Sequence, residues 1–558
     1  MFQRGNAQPL ELHVYPNDSV IVVANDKFSV SFDSNTAEIL EYEYQGKDLL
    51  EGNLRQNFWR APTLNDDVDG WALPRWKKAG LQGLTSRCSY AHADYTGDGS
   101  VYFQATVGLY DANGNEQISV NEFYLIDQEG NITLKNRIEP NATVTSFPKI
   151  GIQAKMSDEY QYAMYVGRNT ENYPDRNAAG KFGLHVVNAF DLFEQHPEPQ
   201  DNGNRADVRW LTIMNKDNDF GLFVTMDEPF NFSMYNYDDE NLSTAERINE
   251  LVPLNDFTVN FDYKQAPIGT ATCGPGVEER YVIKNQVYEY TLRFKGINLV
   301  DEDPFGLYAQ KTSNIDSMML PAPKITTDMQ RVFNKPVTVT LTCDDQEAKI
   351  YYTLDGTEPT KKSNLYKKPF VIDGSCDLKV KAIKKNSLPS FATHQRFDWV
   401  PALNTTYKDA PAERYGKNAD IALMDGKKGL PSDYYNDWLG FEGKDLEATI
   451  ELSKPMNFNT VKVGFCHEPN DWVIWPKNVM VSFSSDGEHF TDWQLASFPV
   501  YDGMDKMAGL GRVEARAKLK AEKVKFIRVK AENYGTLPEW HPNAGQKAWI
   551  MVDEVEVK

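Results

Sequence analysis

Cysteine is scarce in this sequence: Cys88, Cys273, Cys343, Cys376 and Cys466 are the only five in 558 residues. Their spacing contains no Cys-x-x-Cys pair, which excludes a disulfide framework and a cysteine-rich zinc module. Cys343 and Cys376 fall in one small expected domain and either pair or stand as two buried thiols. Long apolar runs are missing too. Without a stretch of 18 apolar residues no membrane-spanning helix is expected, and the opening MFQRGNAQPLEL offers no apolar h-region of a signal peptide. Positive charge is in deficit, with a formal net charge of −21. That field repels polyanions, so nucleic acid and anionic membrane surfaces are excluded as partners. Long helical periodicity is equally rare.

What is present is aromatic and alternating. Phe, Trp and Tyr make up 12% of the chain, a content that suits pleated, half-buried surfaces and gives flat contact area at low entropic cost. Short alternating segments at 19–23, 27–32, 101–107, 132–138, 220–225, 258–263 and 288–294, most bounded by Gly, Asn, Asp or Pro, predict antiparallel strands joined by turns. One helix is expected over 242–251, capped near Ser243 with Glu246 three positions on. The length allows roughly three to five domains. The β-rich first block is placed at 1–299, an acidic, Pro-containing linker at 300–322, a compact module at 323–400 and an aromatic-dense block at 401–558.

The first block carries Asn57-Phe58-Trp59-Arg60-Ala61-Pro62-Thr63 followed by Asn65-Asp66. Gly167 comes next, then Glu171-Asn172-Tyr173-Pro174-Asp175-Arg176, Pro199-Gln200-Asp201-Asn202-Gly203-Asn204-Arg205, and finally Gly274-Pro275. Loops so crowded with amides, guanidinium groups and carboxylates either satisfy one another or present their hydrogen bonds to a polyhydroxylated ligand. In this order the runs closely resemble the small-chain domain of family 2 β-galactosidases over roughly residues 13–297. The resemblance implies an all-β antiparallel super-sandwich of galactose mutarotase-like type, which packs on a (β/α)₈ barrel and lends loops to the rim of its active site. Asn65, Asp66, Glu171, Asn172, Arg176, Asn202, Arg205 and Cys273 are the implied rim candidates. In that family two barrel glutamates do the chemistry, and retaining hydrolysis needs two carboxyls about 5–5.5 Å apart. No eight-fold βα pattern occurs here, so no catalytic residue is assigned and this chain alone is expected not to hydrolyse a glycoside. Two departures bear on specificity. Thr272-Cys273-Gly274-Pro275 stands where galactosidases commonly show Ser-Trp-Gly-Pro, and Leu64-Asn65-Asp66 stands where they show Asp-Asn-Asp.

In the second block, Ile350-Tyr351-Tyr352-Thr353-Leu354-Asp355-Gly356-Thr357-Glu358-Pro359-Thr360 contains an Asp-Gly hairpin signal. It resembles the small fibronectin-III-like, immunoglobulin-type sandwich at the C-termini of chitobiases and β-hexosaminidases, usually a spacer.

The third block holds Leu423-Met424-Asp425-Gly426, Tyr434-Tyr435-Asn436-Asp437-Trp438, Ser484-Ser485-Asp486-Gly487, Trp540-His541-Pro542 and Asp553-Glu554-Val555. It resembles the discoidin-like jelly roll of coagulation-factor C-type domains and carbohydrate-binding module family 32, in the form appended to hydrolases of gut Bacteroidetes. The resemblance implies sugar binding through loop aromatics, with Trp472, Trp475, Tyr534, Trp540 and His541 as candidates, although His541 could equally satisfy a buried loop carbonyl. It also implies a structural calcium, which takes six to eight hard oxygens, held by Asp425 and Glu554.

Together these resemblances imply the C-terminal accessory and carbohydrate-binding part of a β-galactosidase-like glycoside hydrolase, partnered by a carbohydrate and by an upstream catalytic barrel of the same polypeptide. A periplasmic or extracellular location is implied. The alternatives are a stand-alone glycan-binding protein and a mutarotase-like enzyme. The latter, the weakest of the readings, needs a His and Glu acid/base pair in one cleft, and of the sandwich region's only four histidines, His13, His92, His185 and His196, none sits in a mutarotase-like pattern.

Overall fold

A computed structural model describes residues 13–16, 19–67, 72–176, 180–271, 273–274, 276–310, 315–328, 332–385, 387–431, 433–498 and 507–558. Among the described residues strands dominate and the helices are short, the longest α-helices having 6 residues, so the chain is all-β as expected. Two compact units emerge. The first runs up to Pro321 and includes Ile383–Phe391; the second comprises Ala322–Ala382 and Ala392–Lys558. No helix among the described residues is long and apolar enough to cross a membrane.

In the first unit, seventeen strands join one hydrogen-bonded network. A run of antiparallel neighbours passes from Thr85–Tyr95 through Val101–Tyr110, Glu116–Ile126 and Ile132–Pro140 to Tyr288–Asn298 and Phe220–Tyr235. It continues to Arg205–Met214, Tyr162–Arg168 and Phe182–Asn188. The long strand Phe220–Tyr235 links this run to a second one. Residues 220–226 pair with Tyr288–Asn298, whereas residues 231–235 pair with Asp256–Gln265, which leads to Lys149–Ser157 and Gly52–Asn57. The pairing register shifts around Val208, next to Asp207 at φ 56°. Between the pairs Trp210↔Thr225 and Val208↔Phe230 the extra residues, 226–229, lie on the long strand, and such a bulge bends a strand and raises its local twist, which lets that strand serve both runs.

Period-two alternation explains the core. Val101, Phe103, Ala105, Val107 and Leu109 of one strand all point into the main apolar cluster. Tyr102 lies on the opposite face and packs with Phe123, Leu125, Ile315, Leu388 and Phe391. Both faces of that strand are therefore covered. The segment read as a linker contributes to this cover. It forms short helices at Pro304–Ala309 and Ile315–Met318, the first started by Asp303, whose carboxylate accepts from the amides of Phe305 and Gly306, with Pro304 at the first helical position. The helix expected over 242–251 also differs. It spans Asp239–Thr244 and is capped by Asp238. Ser243 instead donates its hydroxyl to the Asp239 carbonyl at 2.6 Å, and only a 3₁₀ turn at Ile248–Glu250 follows.

The second unit holds two sandwiches. The smaller has a three-stranded and a five-stranded sheet closed on Phe333, Val337, Val339, Leu378, Val380 and Phe397. Gly356 takes φ +77° as the Asp-Gly signal requires, but Lys349–Thr353 meets its partner only at Asn364–Leu365, so the turn opens a loop rather than a tight hairpin. The larger is a seven-stranded sheet system in which Leu446–His467 and Gly511–Ala531 are the long central strands, around a core including Phe441, Ile450, Phe465, Val481, Ile527 and Val552. None of the five cysteines is in a disulfide, so no bridge joins Cys343 to Cys376, both of which are half-buried.

Candidate functional site

The motif loops of the first unit converge on two carboxylates. Arg60 and Asp66 are wholly buried. The guanidinium Nη1 lies 2.9 Å from Asp66 Oδ2, and Nη2 donates to Asp66 Oδ1 at 3.1 Å, a bidentate fork that matches carboxylate geometry. Thr63 donates its amide and its hydroxyl to Asp66 Oδ2 at 2.7 and 2.9 Å. Arg60 also comes within 4.0 Å of Asp201, which accepts from Tyr173 Oη at 2.9 Å and Gln265 Nε2 at 3.0 Å. Burial raises the Asp201 pKa, against the pull of Arg60 and then Lys149.

Around this hub the loops tie to one another. Asn65 Nδ2 donates to the Gly269 carbonyl at 3.0 Å, and Arg176 Nη2 donates to the same oxygen. Asp175 accepts from the Gly269 and Ile268 amides at 2.8 and 3.3 Å. Asn172, Asn202 and Arg205 are buried. The Asn172 amide donates to Asn204 O at 2.9 Å, Asn202 Oδ1 accepts from the Glu194 amide at 3.1 Å, and Arg205 Nη1 donates to Gly203 O at 3.1 Å. Glu171 is half-buried and accepts from the Gly203 amide at 3.0 Å. Burial, followed by the charge of Glu194, pushes its carboxyl up to about 7. Cys273 is exposed; Thr272 and Pro275 of its motif lie outside the described residues. Of the rim candidates, then, Asp66, Asn202 and Arg205 point inward and hold the loops, Asn172 is buried with neither side-chain amide atom hydrogen-bonded, and Asn65, Glu171, Arg176 and Cys273 retain accessible surface. A cleft of about 360 Å³ in the same unit is lined among others by Pro174, Asp207, Asn231, Tyr263, Arg280 and Tyr288, and by none of these rim candidates.

In the larger sandwich of the second unit, Trp472 is the exposed aromatic candidate, at 37%. It sits in the left-handed region at φ 64° directly after the 3₁₀ turn Pro469–Asp471, a conformation that costs a bulky residue free energy. His541 is buried. Its Nε2 bonds the Pro469 carbonyl at 2.8 Å and its Nδ1 accepts from the Asn543 amide at 3.0 Å, so it secures the turn that carries Trp472. Trp540 and Tyr534 are half-buried against Ile474, Leu537 and Ala548, and Lys477 Nζ lies over the Tyr534 ring. Trp475 stacks on His467 at 3.9 Å and packs on the sandwich core. Tyr435 is 61% exposed, and its neighbour Tyr434 donates to Asp471, the residue before Trp472, at 2.9 Å.

Asp425 and Glu554 converge. Glu554 Oε2 accepts from the amide of Gly426, next to Asp425, at 3.0 Å, and Asp425 Oδ1 accepts from the Lys427 amide at 2.9 Å. Burial, and after it the charge of Asp425, pushes the Glu554 carboxyl up to about 9. Lys427 Nζ lies 3.8 Å from Asp425 Oδ2, and the two carboxyls offer hard oxygens of the kind that calcium takes.

Residues 24–294 match the family model of the beta galactosidase small chain. Every motif loop gathered around Asp201 lies inside that match. Residues 330–394 match the chitobiase/beta-hexosaminidase C-terminal domain. The chain is 28% identical over 299 residues to a β-galactosidase of Pseudoalteromonas haloplanktis, covering 51% of this chain and 28% of that protein. With a β-galactosidase of Alteromonas mediterranea the identity is 26% over 294 residues, covering 49% and 27%. The chain thus spans just over a quarter of the length of these relatives. A galactose 1-epimerase from Lactobacillus acidophilus is similar over 52% of this chain and 99% of its own, at 11% identity and a TM-score of 0.28.

Proposed function

We propose that this chain is the accessory, carbohydrate-associated part of a β-galactosidase-like glycoside hydrolase, whose first unit shapes the active-site rim of a catalytic domain in the same polypeptide. The match of residues 24–294 to the small chain carries this reading. The loops around Asp201 support it, because Asp66, Asn202 and Arg205 are engaged in holding the loops while Asn65, Glu171, Arg176 and Cys273 keep accessible surface. A thiol at position 273 gives no aromatic platform, which favours a substrate other than lactose. Purified chain incubated with a chromogenic β-galactoside is expected to release chromophore at the background rate; turnover above background overturns the accessory reading.

The discoidin-like end is the sugar-binding tail in this reading, with Trp472 as the stacking platform and calcium at Asp425 and Glu554. Flat rings give sugars large contact area at low entropic cost. In affinity electrophoresis on galactose-containing polysaccharide, Trp472→Ala is expected to weaken retardation at least about tenfold in Kd, equivalent to about 1.4 kcal/mol. Trp540→Ala serves as a comparison, and equal retardation of parent and Trp472→Ala removes that indole from the site. Calcium at about one hundred times its Kd should add about 2.7 kcal/mol to the stability of this sandwich. Glu554→Gln should abolish that calcium-dependent shift in a thermal melt. A shift of the same size in the variant moves the ion elsewhere.

A further inference from the structure

Three side chains of the first unit form a grouping, two of which, Glu194 and His196, the accessory role does not use. Glu171, Glu194 and His196 each offer one ligand atom, and these atoms all lie within 4.8 Å of one another. Among the described residues no other set of three or more His, Cys, Asp or Glu side chains meets that test. Glu171 and His196 are half-buried and Glu194 is exposed.

The scaffold around them is fixed. The Gly203 amide holds Glu171 Oε1 at 3.0 Å, which orients the carboxylate. The amide of Glu194 is held at 3.1 Å by Oδ1 of the buried Asn202, whose Nδ2 donates to Gln200 O. Gly203 itself sits at φ +74°, and a Cβ there would meet the Leu192 carbonyl oxygen at 2.9 Å, so the two loops approach too closely for any other residue. Outer hydrogen bonds of this kind are what hold metal ligands in place.

The donor set argues for the class of ion. Calcium and magnesium sites are built from oxygens. An imidazole nitrogen beside two carboxylates suits zinc or a neighbouring first-row metal. Ligands at about 2.1 Å from a tetrahedral zinc stand about 3.4 Å apart, so closure asks for a shift of about an ångström, which the exposed Glu194 side chain can supply. Three protein ligands leave the fourth position to water.

We propose that Glu171, Glu194 and His196 bind a divalent ion of the zinc class, which fastens the loop after strand Phe182–Asn188 to the loop that begins at Glu171. The test is calorimetric titration of the whole chain, stripped with chelator, with Zn²⁺, in a Cys273→Ser background so that the exposed thiol does not compete. One equivalent of tightly bound zinc is expected, and Glu194→Gln and His196→Ala should each weaken it at least about 100-fold. Asp425→Asn, in the other sandwich, should leave it unchanged. Glu194 is exposed, so its variant retains the parent fold, checked by circular dichroism. Failure of the parent to bind Zn²⁺, or equal affinity in the parent and both variants, overturns the proposal.

Discussion

Arg60→Ala removes about 3–5 kcal/mol from the unfolding free energy of the first unit, the magnitude found when one member of a buried ion pair is deleted. The size follows from what is left behind. Asp66 is wholly buried and receives both prongs of the guanidinium; Asp201 is nearly so, with Arg60 at 4.0 Å. With the cation gone, Asp66 keeps only the two Thr63 donors, and Asp201 loses the larger of the two charges that oppose its raised pKa. The guanidinium also lies over the Trp76 and Tyr173 rings, so truncation opens a void against aromatic faces. Arg60→Lys should recover little, since an ammonium cannot fork across a carboxylate. Urea titrations followed by tryptophan fluorescence measure the difference. A change below about 1 kcal/mol would mean that the loops relax to hydrate both acids, and that the fork is not what holds them.

This pair also marks where the sequence stops being legible. The strands were readable because alternation is local: Val101, Phe103, Ala105, Val107 and Leu109 declare one face whatever lies across from it. A cap is nearly as local, yet Asp238 outcompeted Ser243, because Ala245 turns extended at ψ 126° and Glu250 takes the Glu246 amide. The helix at Pro304–Ala309 had its signal in Asp303-Pro304, hidden under an acidic, loop-like composition. Site residues depend on partners far along the chain. Asp66 and Asn65 are adjacent and chemically similar, but one meets Arg60 in the interior and the other reaches Gly269. Nothing near position 65 distinguishes them. Likewise Glu194 and His196 acquire meaning only beside Glu171, and His541 is decided by the carbonyl of Pro469.

The second large effect concerns a carboxyl inside the sandwich. Glu122 lies in the core with its Oε1 accepting from Gln56 Nε2 at 2.7 Å, and Gln56 also donates to Asn136 at 3.0 Å. Burial dominates and pushes its pKa up to about 8, while Gln56 pulls the other way and Glu38 adds a like charge. The free carboxyl titrates near its ordinary 4.5. Below that pH both states hold the proton and Glu122 contributes no pH dependence. Between about 4.5 and 8 the unfolded chain releases the proton and the folded one keeps it, so stability falls as pH rises. Above 8 the buried group is ionised and the penalty is constant. At about 1.36 kcal/mol per pH unit, the loss accumulates to about 3–5 kcal/mol. Glu122→Gln keeps the shape and removes the titrating proton, and its amide oxygen can still accept from Gln56 Nε2. The variant is therefore expected to match the parent near pH 4 and to exceed its stability by about 3–5 kcal/mol at pH 9, in urea titrations at both values. Asp262, raised to about 7 by burial against Lys149, titrates in both proteins and cancels from the difference. A stability difference that stays flat from pH 4 to 9 would show that Glu122 folds already ionised.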